Sequence, residues 1–220
     1  MNIFIVIPAY NEEKNIGGVV SELKKYYRNI IVVDDCSRDE TVSRAKESGA
    51  TVLRHLINLG QGAALETGDK YAFDNGAEVI VHFDADGQHS AEEISNLISP
   101  IERGEADVVL GSRFLSKKNQ IPWVKKWLIL KPAIFLSNLL TGLWLTDTHN
   151  GFRAFSRLAA TKISIRQNRM AHASEIIGQI GKNKLRWVES PATIVYKEFG
   201  QGFRGGIKIL KDLFLKVILK

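Results

Sequence analysis

Two aspartates separated by one residue carry the chemistry of this chain. His82-Phe83-Asp84-Ala85-Asp86-Gly87-Gln88-His89 follows the apolar run Val79-Ile80-Val81. A strand ending there leaves both acids at its carboxyl edge, where open α/β sheets place their ligands. Two neighbouring anions repel, and a hard divalent cation relieves that repulsion. Mg²⁺ takes one or two carboxylates and completes its shell with substrate phosphates. The pattern therefore reads as a seat for a metal and a diphosphate. By itself Asp-x-Asp also occurs in turns and helix caps, so the rest of the chain must agree with it.

Other polar groups follow other apolar runs. Pro8-Ala9-Tyr10-Asn11-Glu12-Glu13 comes after Ile3 to Ile7. Pro8 ends that strand, Tyr10 offers a ring face for a base or ribose, and Asn11 and Glu12 offer polar contacts or a helix cap. Asp34 and Asp35 follow Ile30 to Val33. Acids at that edge accept hydrogen bonds from ribose hydroxyls, although Asp35, Ser37 or Asp39 also suit helix capping. In Asn58-Leu59-Gly60-Gln61-Gly62 the glycines let backbone N–H groups approach an anion at a helix start. Leu65 takes the third glycine place of a dinucleotide fingerprint, and no Gly-Lys-Ser/Thr ending makes a P-loop. A dehydrogenase and an ATPase are disfavoured accordingly.

The elements that must position these groups alternate through the first half of the chain. Strands are expected at Ile3–Ile7, Ile30–Val33, Thr51–Leu53, Val79–Phe83 and Asp107–Leu110, and helices at Glu12–Tyr27, from Ser37 or Asp39 to Lys46, at Gly60–Asp74 and at Ala91–Arg103. Such alternation implies a mainly parallel sheet covered on both faces. In the second half, Ala171 to Lys182 reads as a helix, and Leu185–Val188 and Ala192–Tyr196 as short strands separated by Pro191. Trp123 to Leu145 is aromatic and apolar but is interrupted by Lys125, Lys126, Lys131 and Pro132. A membrane span needs about 20 apolar residues, so two readings remain: a helix pair in a membrane interface, or a hairpin packed on the sheet. Phe203 to Lys220 reads as a basic amphipathic helix, suited to an anionic bilayer or to docking on the protein itself.

The 220 residues are 45% hydrophobic and 25% charged, ordinary values for one globular domain with a sizeable core. The formal net charge of +6 favours anionic partners. Its lysines cluster with apolar residues, which disfavours nucleic acid. Cys36 is the only cysteine, so no internal disulfide forms, and the thiol reads as packed or in a loop. The N-terminus has no basic n-region and reads as a buried strand. His82, His89, His149 and His172 do not show a zinc spacing.

Taken in order, Pro8-Ala9-Tyr10-Asn11-Glu12-Glu13, Val33-Asp34-Asp35-Cys36-Ser37, Asn58-Leu59-Gly60-Gln61-Gly62, Asp84-Ala85-Asp86-Gly87-Gln88-His89 and Gly111-Ser112-Arg113 resemble the family 2 glycosyltransferases with the GT-A fold. Within them the chain looks most like the dolichyl-phosphate mannosyltransferase and polyprenyl-phosphate glycosyltransferase branch. The resemblance is dense to residue 113 and continues at Asp147-Thr148-His149-Asn150-Gly151-Phe152-Arg153. It implies a single domain over 1–220, with a donor-binding half at 1–113 and an acceptor-binding, membrane-facing half at 114–220.

By position, the resemblance implies that Pro8, Tyr10, Asn11, Glu12, Asp34, Asp35, Gly60 and Ala85 surround a UDP- or GDP-sugar. It implies that Asp84, Asp86 and Gln88 hold Mg²⁺ or Mn²⁺. Arg113 would face the donor or acceptor phosphates, Arg153 would approach the acceptor, and Lys197 would lie near the transferred phosphates. The branch shows Arg-x-x-Gly-x-Ser-Lys where this chain has Lys197-Glu198-Phe199-Gly200-Gln201-Gly202-Phe203-Arg204. The implied reaction is inversion at the anomeric carbon, with Asp86, Arg113 and Asp147 at the catalytic centre. The acceptor it implies is a polyprenyl phosphate, and the place it implies is peripheral, on the cytosolic face of a membrane. A saccharide hydroxyl acceptor would need a base, for which Asp147 and Glu175 are the candidates. A sugar nucleotidyltransferase and a non-catalytic nucleotide-binding partner are the alternatives from other classes.

Overall fold

The computed structural model describes residues 1–116, 119, 130–148 and 150–194. Lys125, Lys126, His149, Lys197, Arg204 and the basic tail lie outside the described residues.

Seven strands form one sheet: β1 (Ile3–Ala9), β2 (Asn29–Asp34), β3 (Thr51–Arg54), β4 (Val79–His82), β5 (Val108–Ser112), β6 (Arg153–Ser156) and β7 (Trp187–Pro191), in the order β3-β2-β1-β4-β6-β5-β7. The strands β3, β2, β1 and β4 run parallel. β6 is antiparallel to both β4 and β5, and β7 is parallel to β5. The expected mainly parallel sheet is present, with an antiparallel strand in its middle that the apolar pattern does not reveal. β7 includes Pro191 as its end, where two strands separated by that proline were expected. Pro191 is the last residue of β7 at the end of the sheet order, a place that tolerates a missing N–H. Of the expected strand Ala192–Tyr196, residues 192–194 form no strand, and Val195 and Tyr196 lie outside the described residues.

Alternation along β1 builds two core layers. Ile5, Ile7 and Ala9 face the helices α1 (Ile16–Lys24), α2 (Thr41–Glu47) and α4 (Ile94–Glu102) through Ile16, Val20, Leu23, Ala45, Ile94 and Leu97. Phe4 and Val6 face α3 (Gln61–Asp74), α6 (Arg157–Lys162) and α7 (His172–Lys182) through Ala64, Leu65, Ala159, Ile176 and Ile180. Gly68 brings α3 close to the sheet: a Cβ there would stand 2.3 Å from Val6 Cγ1 and 3.1 Å from Val33 Cγ2. α1 starts later than the periodicity suggests, because Glu12 to Asn15 form a turn whose Glu12 carbonyl accepts from the Asn15 and Ile16 amides. A 3₁₀ turn at Ala91–Glu93 leads into α4.

Within the segment read as a helix pair, α5 (Lys131–Thr141) is described and ends at Gly142, whose φ of 73° only glycine adopts readily. Ile134 and Asn138 are buried, while Phe135, Leu139 and the following Trp144 are exposed. The helix thus packs one side on the protein and shows another apolar side outward. Among the described residues no helix is long and apolar enough to cross a membrane.

Candidate functional site

The chain leaves the sheet at the carboxyl ends of the neighbouring strands β2, β1 and β4, and a cleft of about 370 Å³ opens there. Pro8, Ala9, Tyr10, Glu12, Asp35, Gln61, Ala64, Asp84, Ala85 and Asp86 line it. Residues from four separate sequence motifs therefore meet in one crevice. Tyr10 is 47% exposed, its ring open to a partner. Glu12 is held by its Oε2, which accepts from Asn15 Nδ2 at 2.9 Å.

Asp35 is nearly covered and its carboxylate is well supplied with donors. Oδ1 accepts from the Leu59 amide at 2.9 Å and lies 2.8 Å from His55 Nδ1. Oδ2 accepts from the Gly60 amide at 2.7 Å. Gly62 and Ala63 donate their amides to the Asn168 carbonyl at 2.8 and 3.4 Å. These contacts correct the expectation for Gly60 and Gly62: their N–H groups serve the protein's own carboxylate and carbonyl instead of an external anion. The glycines are required by close approach, since a Cβ at Gly60 or Gly62 would lie 2.4 or 2.0 Å from the carbonyl oxygens of Asn168 and Gln167.

Asp34 is not part of the cleft wall. It is fully buried, with Oδ2 accepting from the Ser37 amide at 3.1 Å and 3.3 Å from Arg54 Nε. Asn11 is spent on the neighbouring loop, its Oδ1 accepting from the Arg38 amide at 3.0 Å and its own amide donating to Ser37 Oγ at 2.9 Å. Cys36 sits in the same loop with a φ of 66°, and its Sγ donates to the Leu56 carbonyl at 3.5 Å.

The paired aspartates reach the cleft together. Asp86 Oδ1 accepts from the Gln88 amide at 2.9 Å, which closes the Asp86–Gln88 turn. Asp84 keeps 29% of its side-chain surface and receives Gln61 Nε2 on Oδ1 at 3.3 Å, with His89 Nε2 3.8 Å from Oδ2. Burial pushes the Asp84 carboxyl above its ordinary value, against the pull of Arg153, His82 and Arg113. Burial likewise holds His89 below its ordinary value. Gln61 and Gly151 are site residues that sequence reasoning did not single out, although Gln61 lies inside the glycine motif.

Behind the aspartates, Arg113 and Asp147 form a bidentate pair: Nε donates to Oδ2 at 2.6 Å, Nη2 to Oδ1 at 2.8 Å, and the Arg113 amide to Oδ2 at 3.1 Å. Both Asp147 oxygens are thereby engaged. Glu175 Oε2 accepts from the Arg166 and Gln167 amides at 3.0 and 2.8 Å. The two candidate bases are therefore occupied as a guanidinium clamp and a loop strap. Arg153, expected to approach an acceptor, is instead fully buried in β6 beside His82. Its Nε donates to the Asn150 carbonyl at 2.9 Å, and burial lowers its guanidinium to about 10 against the opposing charges of Asp84 and Asp147.

The comparisons agree with this architecture. The sequence profile described as glycosyl transferase family 2 matches residues 4–164. The UDP-N-acetylglucosamine–dolichyl-phosphate N-acetylglucosaminyltransferase of Methanococcus voltae is 35% identical over 99% of this chain and 95% of its own length. The polyprenol monophosphomannose synthase of Mycolicibacterium smegmatis is 30% identical over 96% of this chain and 83% of its own. Among solved structures, the glucosyl-3-phosphoglycerate synthase of Mycobacterium tuberculosis, crystallised with Mn²⁺, uridine diphosphate and phosphoglyceric acid, superposes with a TM-score of 0.69 at 20% identity, over 96% of this chain and 78% of its own. That likeness establishes the GT-A fold. Because the profile match runs from β1 through the aspartate pair and on to α6, the protein belongs to glycosyl transferase family 2 and is a glycosyltransferase.

Proposed function

We propose that this glycosyltransferase moves a sugar, with inversion, from a UDP- or GDP-sugar to a polyprenyl phosphate. The engagement of Asp147 by Arg113 and of Glu175 by the 166–167 backbone carries the choice of acceptor. A sugar hydroxyl needs a base to become a nucleophile. A lipid phosphate is already anionic at neutral pH and needs only cations that hold two anions together. The Methanococcus voltae and Mycolicibacterium smegmatis relatives, both named for lipid-linked acceptors, support the same reading.

Asp84 and Asp86 fit a hard divalent cation, Mg²⁺ or Mn²⁺. Both are oxygen donors on the cleft wall. Two carboxylates suit an ion that would complete its shell with substrate phosphates. Bound there, such an ion would stabilise charge growing on the departing diphosphate. Gln88 follows in the same turn, with its amide on Asp86.

The chain's own residues do the rest. Tyr10 and Pro8 present a surface for the nucleoside, and Glu12 and Ala85 complete the wall. Asp35 fixes the Leu59–Gly60 backbone while lining the same cleft. Asp147 locks the Arg113 guanidinium in one orientation, and a charge held in this way would stabilise the transferring phosphates without reorganising. Arg153 contributes a buried positive charge under Asp84 and Asp147 rather than a contact with the acceptor.

We read 1–113 as the donor-binding half and 114–220 as the acceptor-binding half of one domain. The exposed Phe135, Leu139 and Trp144 near Lys131 support peripheral attachment to a membrane, and we assign that attachment to the cytosolic face.

Calorimetry of UDP- and GDP-sugars with Mn²⁺ tests the site. One donor series should bind the wild-type chain in a Mn²⁺-dependent way, and Asp86→Ala should weaken it by about tenfold or more. Unchanged donor binding by Asp86→Ala would overturn the assignment.

A further inference from the structure

The Asp84 carboxylate is bracketed on three sides. Gln61 Nε2 approaches Oδ1 at 3.3 Å and His89 Nε2 lies 3.8 Å from Oδ2. The third side is the bare backbone of Gly151, where a Cβ would stand 2.8 Å from each carboxylate oxygen and 3.1 Å from Cγ. Gly151 is absent from the glycines with positive φ, so backbone twist does not demand a glycine there. What the site demands is the absence of a side chain.

The turn carrying Gly151 has little room to retreat. Asn150 Oδ1 accepts from the Phe152 amide at 3.2 Å, and the Asn150 carbonyl accepts from Arg153 Nε at 2.9 Å. Phe152 is fully buried, stacked on His89 at 4.7 Å and edge-on to Phe83 at 5.7 Å. Arg153 is anchored in β6 between β4 and β5. Opposite this packed turn stands a carboxylate at the end of a rotatable side chain. When a methyl group meets the two, the carboxylate yields.

We infer that Gly151 is a positioning residue for the cation seat: its missing side chain leaves the space in which the Asp84 carboxylate faces the cleft. A methyl group at 151 turns that carboxylate away while the fold persists. The inference rests on the reading of Asp84 and Asp86 as cation ligands.

The test is Mn²⁺ affinity, read from the free-Mn²⁺ electron paramagnetic resonance signal in the presence of UDP and, separately, of GDP. The full chain is compared with Gly151→Ala, Asp84→Asn, their combination, and Gly18→Ala, a helix position with open space around it. Gly151→Ala should lose about tenfold or more in Mn²⁺ affinity, as changes around metal ligands do. Its melting temperature should stay within about 4 °C of wild type. The combined variant should bind no more weakly than Asp84→Asn alone, because both act through one carboxylate. Gly18→Ala should bind as wild type does.

If Asp84→Asn loses Mn²⁺ while Gly151→Ala stays within about twofold of wild type, the inference fails and the cation seat stands. A fall in melting temperature beyond about 8 °C for Gly151→Ala would show that the turn yields instead, and also overturns it. If Asp84→Asn binds Mn²⁺ as wild type does, the seat itself is misassigned and the role of Gly151 falls with it.

Discussion

Replacing Asp147 by asparagine separates a clamp from a base. In the wild-type chain the carboxylate accepts three hydrogen bonds from Arg113, two from its guanidinium and one from its amide. The Asp147 side chain is fully covered and that of Arg113 is 12% exposed. Asp147→Asn conserves volume but turns one acceptor into an amide donor facing a guanidinium, beside the buried charge of Arg153. Breaking a buried pair by removing one partner costs about 3–5 kcal/mol. The amide oxygen still accepts, so about 2–4 kcal/mol is expected here. In a chain of this length that lowers the melting temperature by roughly 4–16 °C. Urea denaturation gives the free energy directly. Arg113→Gln should cost a similar amount, and the double variant should lose no more sugar transfer than the worse single variant, because the two residues act as a unit. The reasoning is refuted if Asp147→Asn keeps its stability within about 1 kcal/mol yet abolishes transfer and removes the acid limb of the pH–rate profile. That combination is the signature of a general base.

Two further expectations concern the scaffold. Gly68→Ala should destabilise the protein by about 1–2 kcal/mol in urea, although alanine is the better helix former, because overpacking against Val6 and Val33 outweighs the propensity gain; a stabilised variant would contradict the close approach of α3 to the sheet. Burial drops His172 from 6.5 to about 4, so the unfolded chain takes up this proton first as pH falls. The stability it holds is fully present above the unfolded value and is lost between about pH 6.5 and 4. At pH 4.5 that loss is about 2–3 kcal/mol relative to pH 7, and His172→Gln should lack it; an unchanged pH dependence in His172→Gln would contradict the buried neutral imidazole.

The crevice was legible because parallel strands buried on both faces read as unbroken apolar runs, and the polar residues that follow them stand at the sheet's carboxyl edge. Ile3–Ile7, Ile30–Val33 and Val79–Val81 announce β1, β2 and β4 in this way, and Tyr10, Asp35, Asp84 and Asp86 do line one cleft. β6 was invisible for the opposite reason. Its four residues begin with a buried arginine, and nothing local marks Arg153 as interior. The glycine loop was misread because its partners are distant in sequence: Asp35 and Asn168 take the amides of Gly60 and Gly62. Asp34 and Asp35 were indistinguishable on paper, yet only Asp35 lines the cleft, while Asp34 is buried against Ser37 and Arg54. Gly151 gave no signal, since a contact with the Asp84 carboxylate depends on β6 lying beside β4.

The acceptor decides the account. The wild-type chain should be incubated with Mn²⁺, a panel of UDP- and GDP-sugars, and either a short polyprenyl phosphate or the matching prenol and free saccharides, with products weighed by mass spectrometry. One donor should yield a glycosylated prenyl phosphate together with its nucleoside diphosphate, and the prenol and saccharides should give nothing. Transfer to a saccharide hydroxyl with the prenyl phosphate left untouched would contradict it.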